Sequence, residues 1–285
     1  MIARDRSSRA AARNNAAWCD TLCRTHGIEG RFDPDVWVAP RRTPRYNPDA
    51  VTLDPAAVAG SILERIDASP GCSIKDSFAA LDMGPYGFQI VREAEWIYRE
   101  PTSSRVSGPS GMRWIAVETA DELLAWAAAW DVDGAPAGLF RPALLRDPSV
   151  MVLGGYVEGS IVAGAIANRS GRELAGLSNV FAKDEDLDRA WRGTLDYLDS
   201  ALPGSAIVGY ASGADLAVAL RLGFQSVGLE ASEPGEPGPI PHQAATRLHY
   251  TPTTRRGPRA AQGSRRRRCR ARTERHRCVA TRGTG

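Results

Sequence analysis

The chain has 285 residues, of which 43% are hydrophobic and 24% charged. That is a soluble globular composition, with length for one large domain or two modest ones. No run of about 18 apolar residues occurs, which excludes a membrane-spanning helix. The basic start lacks the apolar core of a secretory signal, so the expected location is the cytoplasm. The net charge of +3 conceals a split: residues 255–285 hold twelve Arg and the one acid Glu274, giving +11, and the remainder carries −8.

Residues 1–13 are expected to be disordered. From Asn14 to His26 the pattern is helical, with Ala17, Cys19 and Leu22 apolar and Gly27 as a stop. Cys19 and Cys23 share a face at i,i+4. Two readings apply: a pair of metal ligands, with His26 as a third in a set short of the usual four, or two buried thiols. Cys269 and Cys278 lie in the tail, so Cys19, Cys23 and Cys72 form an odd set expected to be free. Pro34, Pro40, Pro44 and Pro48 then forbid helix interiors, leaving Val36–Val38 and Val51–Leu53 as short strands. Arg41, Arg42, Arg45 and Tyr46 between them read either as a phosphate- or nucleic-acid-docking cluster or as a solvated loop. Pro55–Ala68 carries an apolar stripe, Val58, Ile62 and Ile66, on a predicted helix. Lys75–Leu81 reads as a short helix and Phe88–Tyr98 as a long strand. The segment "ALDMGPYGFQIVREAE" is echoed by the later "ALRLGFQSVGLEASE".

Pro, Ser and Gly at 101–111 mark a linker between an α+β region, 14–100, and a second domain, 112–230. The second domain opens with a strand, Arg113–Val117. Thr119 and Glu122 form a T-x-x-E capping box for a helix over Ala120–Trp130, and a helical turn lies within Ala135–Asp147. Three strands follow, Val150–Val157, Ile161–Ala167 and Leu174–Phe181, separated by Gly-containing turns. A helix over Asp186–Leu202 puts Leu187, Ala190, Trp191, Leu195, Leu198 and Leu202 on one face. Ala206–Tyr210 is a strand, Gly213–Leu222 a helix with an S-x-x-D box from Ser212 and Asp215, and Gln225–Glu230 a last strand.

This order, from Arg113 to Glu230 and closing on "LRLGFQSVG", resembles the GNAT acyltransferase family. The resemblance implies an α/β fold, a mixed and largely antiparallel central sheet flanked by helices. It implies an N-acetyltransferase that moves an acetyl group from acetyl-CoA to an amine. It places the co-substrate at the end of the third antiparallel strand, at Asn179, Val180 and Phe181, and at Ser212, which stands in the family's Asn position. Family members cradle the diphosphate with a Q/R-x-x-G-x-G/A loop, whereas "VFAKDEDLDRAWRG" has no Gly before Gly193 and sets Asp184, Glu185, Asp186 and Asp188 there. The family's proton-donating Tyr position is Ala219, and Tyr210 is the nearby phenol that remains as a catalytic candidate. A second expectation is therefore the same fold without catalysis, as a binding or scaffold protein.

Residues 231–285 turn Pro/Gly-rich and then Arg-rich, a composition that cannot bury a core. Only Arg247–Tyr250 reads as a short strand, where the family has one more. Arg265, Arg266, Arg267 and Arg268 allow a third expectation, a nucleic-acid-binding arm, against a tail that is merely solvated or a spurious translation.

Overall fold

The computed structural model describes residues 2–102, 111–130, 138–183, 186–228 and 246–252. Helix α1 (Ile2–Thr25) comes first. It is followed by β1 (Arg31–Phe32), β2 (Val36–Val38), β3 (Ala50–Thr52), the short α2 (Ala59–Leu63), β4 (Ile74–Lys75) and β5 (Phe88–Arg99). Next are β6 (Arg113–Ala116), α3 (Ala120–Trp130), β7 (Val150–Val157), β8 (Ser160–Arg169) and β9 (Leu174–Ala182). Then come α4 (Leu187–Ala201), β10 (Ala206–Ala211), α5 (Gly213–Arg221), β11 (Gln225–Ser226) and β12 (Thr246–Pro252).

The strands form a mixed sheet in the order β1-β2-β3-β4-β12-β5-β10-β9-β8-β7-β6, with β11 also on β5. Among the described residues, only β3–β4 and β9–β10 pair in parallel. The fold is thus α/β with a largely antiparallel sheet flanked by helices, and from β6 to β11 the elements follow the GNAT-like order expected from the sequence. No described helix is long and apolar enough to cross a membrane.

The T-x-x-E box forms as expected: Glu122 Oε2 accepts from the amides of Glu118 and Thr119, each at 3.0 Å, and the Glu122 amide donates to Thr119 Oγ1 at 3.2 Å. Helix α4 lays Trp191, Leu195 and Leu198 on Ile97, Leu153, Leu177 and Ile207 of the sheet. Trp96 and Ile97 are neighbours on β5 and both are buried, so this strand is covered on its two faces.

Several elements differ from the sequence reading. Residues 2–13, expected to be unstructured, are the first turns of α1. Ser8, Ala11, Ala12, Ala16, Cys19 and Cys23 are buried along one face of the helix. Small side chains contribute little to a hydrophobic pattern but permit close approach, and at Gly176 of β9 a Cβ would lie 1.8 Å from Asn14 Oδ1. Asn14 and Asn168 of β8 lock that contact, each amide donating to the other's backbone carbonyl at 3.2 and 3.1 Å.

The helix expected over Pro55–Ala68 shrinks to α2, and Val58 of its stripe is 62% exposed. Asp54, ion-paired with Arg9, accepts from the Ala56 amide and holds the start as a turn. No helix forms over Lys75–Leu81. The buried Asp76 carboxylate instead accepts from the amides of Phe78 (3.2 Å) and Leu81 (2.8 Å), a local side-chain bond that competes with helical pairing.

The Pro/Ser/Gly stretch expected as a linker joins strands of one sheet, because β5 before it pairs with β10 after it, Trp96 opposite Tyr210. Strand β12 contains the short strand expected at Arg247–Tyr250, within residues otherwise read as tail, and it pairs with the first half of β5. Residues up to Thr253 form one compact unit. Arg265–Arg268, Asp184 and Glu185 lie outside the described residues.

Candidate active site

The parallel pair β9–β10 is hydrogen-bonded from Leu174 opposite Ala206 to Leu177 opposite Gly209, and there it stops. Beyond that point β9 stays with β8 while Tyr210 and Ala211 stay with β5. Two residues of β9, Asn179 and Val180, stand against Ala165 alone between the pairs Ile166–Ser178 and Gly164–Phe181. This is a β-bulge, which bends its strand. Asn179 takes the left-handed conformation (φ +54°), which Asn tolerates better than most residues.

The strands therefore splay, and the gap is a cleft of about 690 Å³. Its walls are Leu177–Val180 on one side and Tyr210–Ser212 with Asp215 on the other; Trp191, Trp130 and Tyr46 also line it. Among the described residues, the edge of β9 facing β10 has no strand partner from Ser178 to Val180. The Ser178 hydroxyl is buried without a hydrogen-bond partner among the described residues. A buried polar group in that state is costly, and it is the kind of group a ligand satisfies. Trp191 Nε1 donates to Asp215 Oδ1 at 2.9 Å, bridging α4 and α5 across the cleft.

For the acetyl-CoA that the resemblance implies, one end of the cleft offers matching groups. The unpaired strand edge and the Ser178 hydroxyl suit a thioester carbonyl. At the diphosphate end the described residues are engaged with one another. Asp186 caps α4 itself, accepting from the Arg189 amide at 3.1 Å. Gly193 is no cradle, since a Cβ there would lie 1.8 Å from Trp114 Nε1; its bareness serves packing. Asp188 is ion-paired with Arg192 and, at 3.5 Å, with Arg221. The Arg192 hydrogen bond is the main cause that holds its carboxyl below the usual range. Asp186 and Asp188 are thus both met by arginines.

The cleft brings together four of the five residues singled out in the sequence: Asn179, Val180, Tyr210 and Ser212. The fifth, Phe181, faces the other way, with its ring 5.3 Å from that of Trp126 in the core. Ser212 sits at the N-cap of α5 but its side chain makes no cap bond. The expected S-x-x-D box is absent, because Asp215 is engaged by Trp191 and the Ser212 hydroxyl accepts from Arg92 at 3.5 Å. The Tyr210 ring stands edge-on to Trp96 at 5.9 Å.

Of the basic cluster, Arg41 donates to the Gly27 carbonyl and Arg42 ion-pairs with Asp49 at 2.8 Å, whereas Arg45 stacks over Tyr46 at 4.9 Å. Cys19, Cys23 and Cys72 are buried free thiols. Burial pushes Cys19 up to about 11 and Cys23 up to about 12. No group of three or more His, Cys, Asp or Glu suited to a metal occurs among the described residues. Sequence reasoning missed Trp191, Asp215 and Lys75 as site residues. For Lys75 a signal existed: the chain has two lysines against 34 arginines.

No protein-family model matches the chain, and no curated protein matches it. Among solved structures it is similar to a GCN5-related N-acetyltransferase from Kribbella flavida, with 17% identity over 85% of this chain and 95% of that one and a TM-score of 0.49. A GCN5-related N-acetyltransferase-like protein from Streptococcus suis is 11% identical over 87% and 98%, with a TM-score of 0.44. A "predicted acetyltransferase with acetyl-CoA" from Clostridium acetobutylicum is 14% identical over 45% and 96%, with a TM-score of 0.33.

Proposed function

We propose that this protein is a cytoplasmic acyltransferase that moves an acetyl group from acetyl-CoA to an amine, with the thioester lying between β9 and β10. The observation that carries this reading is the parting of two parallel strands after Leu177 and Gly209, which leaves a lined cleft and an unpaired peptide edge. An acyl thioester supplies an activated carbonyl there. The Ser178 hydroxyl, which has no partner among the described residues, is a donor for the oxygen on which charge develops, beside the edge of β9 that β10 leaves. The hydroxyl needs little reorganisation, because β8 holds β9 from its other side. Tyr210, on the opposite wall, is the phenol available to the departing sulfur. Transfer forms one C–N bond and breaks one C–S bond. The amine's proton goes to water, the thiolate takes the Tyr210 proton, and water restores it.

Calorimetric titration with acetyl-CoA tests the reading, together with thiol release in the presence of a panel of amines. With no glycine cradle for the diphosphate, binding is expected with a dissociation constant on the order of 100 μM, about 5.5 kcal/mol. Absence of saturable binding up to about 5 mM overturns the proposal. Binding without thiol release from any amine favours the second reading, a non-catalytic binding or scaffold protein, for which the self-capped start of α4 is the supporting observation.

A further inference from the structure

A smaller recess of about 40 Å³ shares Tyr46, Trp130, Asn179 and Tyr210 with the cleft. Lys75 lines it, and only 2% of that residue is exposed. Its ammonium donates to Asn15 Oδ1 at 2.8 Å and lies 4.0 Å from the centroid of the Tyr210 ring and 5.8 Å from that of Trp96. An ammonium has three N–H donors. Asn15 accepts one, and the rings offset charge without accepting as an oxygen does. No described carboxylate ion-pairs with Lys75. A buried cation without an anion is expensive, so the recess is a place where an arriving anion is worth more than it would be in water.

The residue type points the same way. This chain uses arginine for 34 of its 36 basic residues, yet it keeps a lysine here. The compact ammonium fits a small recess that a planar guanidinium would fill. At the rim, the exposed Arg45 over Tyr46 adds a second positive charge.

We infer that this recess holds the carboxylate of the acyl acceptor, so that the substrate is a small molecule carrying both an amine and a carboxylate. The inference rests on the transfer reading of the adjoining cleft. The carboxylate sits against Lys75, and the amine is directed past the shared walls, Asn179 and Tyr210, toward the parted strands.

The test needs no acyl donor, so its failure is separable from failure of acetyl-CoA to bind. The full-length protein is titrated calorimetrically with each of the twenty amino acids and with the corresponding amide, in which the carboxylate is neutral. At least one amino acid is expected to bind ten times or more tighter than its amide, and Lys75→Met is expected to abolish that preference. Should Lys75→Met not fold, the wild-type protein labelled with ¹³C at the lysine ε-carbon gives two resonances, and Lys183→Arg identifies which belongs to Lys75. That resonance is expected to shift with the preferred amino acid and not with its amide or with inorganic phosphate. The inference is overturned if no pair shows the preference, if a folded Lys75→Met keeps it, if the Lys75 resonance does not move, or if phosphate moves it equally.

Discussion

Removing the Trp191 side chain tests both the packing of α4 and the wall of the cleft. Trp191 is buried, its ring 5.6 Å from that of Phe224 and nearly perpendicular to it, and its indole N–H is bound to Asp215. Truncation of a buried Trp to Ala costs roughly 3–5 kcal/mol, about a fifth or more of the roughly 5–15 kcal/mol that holds an ordinary domain together. Trp191→Phe separates the two contributions. It keeps a ring against Phe224 and loses only the N–H bond and part of the area. Because Asp215 lines the open cleft, water can replace the lost donor, so this change is expected to cost about 1–2 kcal/mol. Urea unfolding followed by far-ultraviolet circular dichroism gives both values, provided the slope stays constant. A cost below about 1 kcal/mol for Trp191→Ala means that α4 does not pack by this face. Equal costs for Ala and Phe mean that the hydrogen bond, not the ring, carries the stability.

Asp199→Ala is expected to cost about 3–5 kcal/mol, because Arg99 and Asp199 form a buried two-point pair at 2.8 and 2.9 Å; the double change Arg99→Met with Asp199→Leu should recover most of it, and denaturant midpoints decide. Tyr210→Phe should lower the turnover of acetyl transfer by about 100-fold with acetyl-CoA affinity unchanged, and unchanged turnover assigns the sulfur's proton to water. The thiols of Cys19 and Cys23, raised by burial from 9.0 to about 11 and about 12, favour the folded state while protonated. Stability should be full below pH 9 and fall above it by up to about 1.4 kcal/mol per pH unit for each thiol, and Cys→Ala variants at both sites should flatten the alkaline limb. Deleting residues 255–285 should leave the cooperative melt unchanged and abolish salt-sensitive binding to DNA or RNA, since it removes +11 from a body of −8; retained binding passes the role to the Arg45–Tyr46 loop.

From Arg113 onward the elements were legible because they carry strong patterns: apolar runs bounded by Gly turns for β7 to β9 and the apolar face of α4. The grouping of candidate residues was legible in part. Asn179, Val180, Tyr210 and Ser212 line one cleft because they flank a strand end and a helix start, which sequence order locates well. Phe181 was misplaced because the bulge at Asn179 shifts the side chains that follow, and no residue pattern announces a bulge. The S-x-x-D box failed because Asp215 had a better partner in Trp191, 24 positions earlier, which local spacing cannot reveal. The start of α1 was missed because Ala and Ser pack well yet score as neither core nor surface. Lys75 was read as the start of a helix because Asp76, which takes the amides of Phe78 and Leu81, looks like an ordinary first-turn acid.

The first hundred residues are part of the site rather than an appendage to it. Asn15 on α1, Tyr46 in the loop between β2 and β3, and Lys75 on β4 supply one side of the recess, while Asn179 and Tyr210 supply the other. Strand β5 makes this possible. Its first half pairs with β12 and its second half with β10, so the element before the Pro/Ser/Gly stretch is the direct neighbour of a cleft-forming strand. Without β5, β10 would present an open edge just where it parts from β9, a row of unpaired backbone groups prone to non-native pairing. With β5 in place, Tyr210 is held opposite Trp96, and the ammonium of Lys75 lies against both rings. The parting of β9 and β10 opens one end of the cleft, and the N-terminal elements line the recess at the other. On the proposed transfer reading, specificity for the acceptor would be carried by residues that precede the GNAT-like order of elements, while the thioester would lie within it.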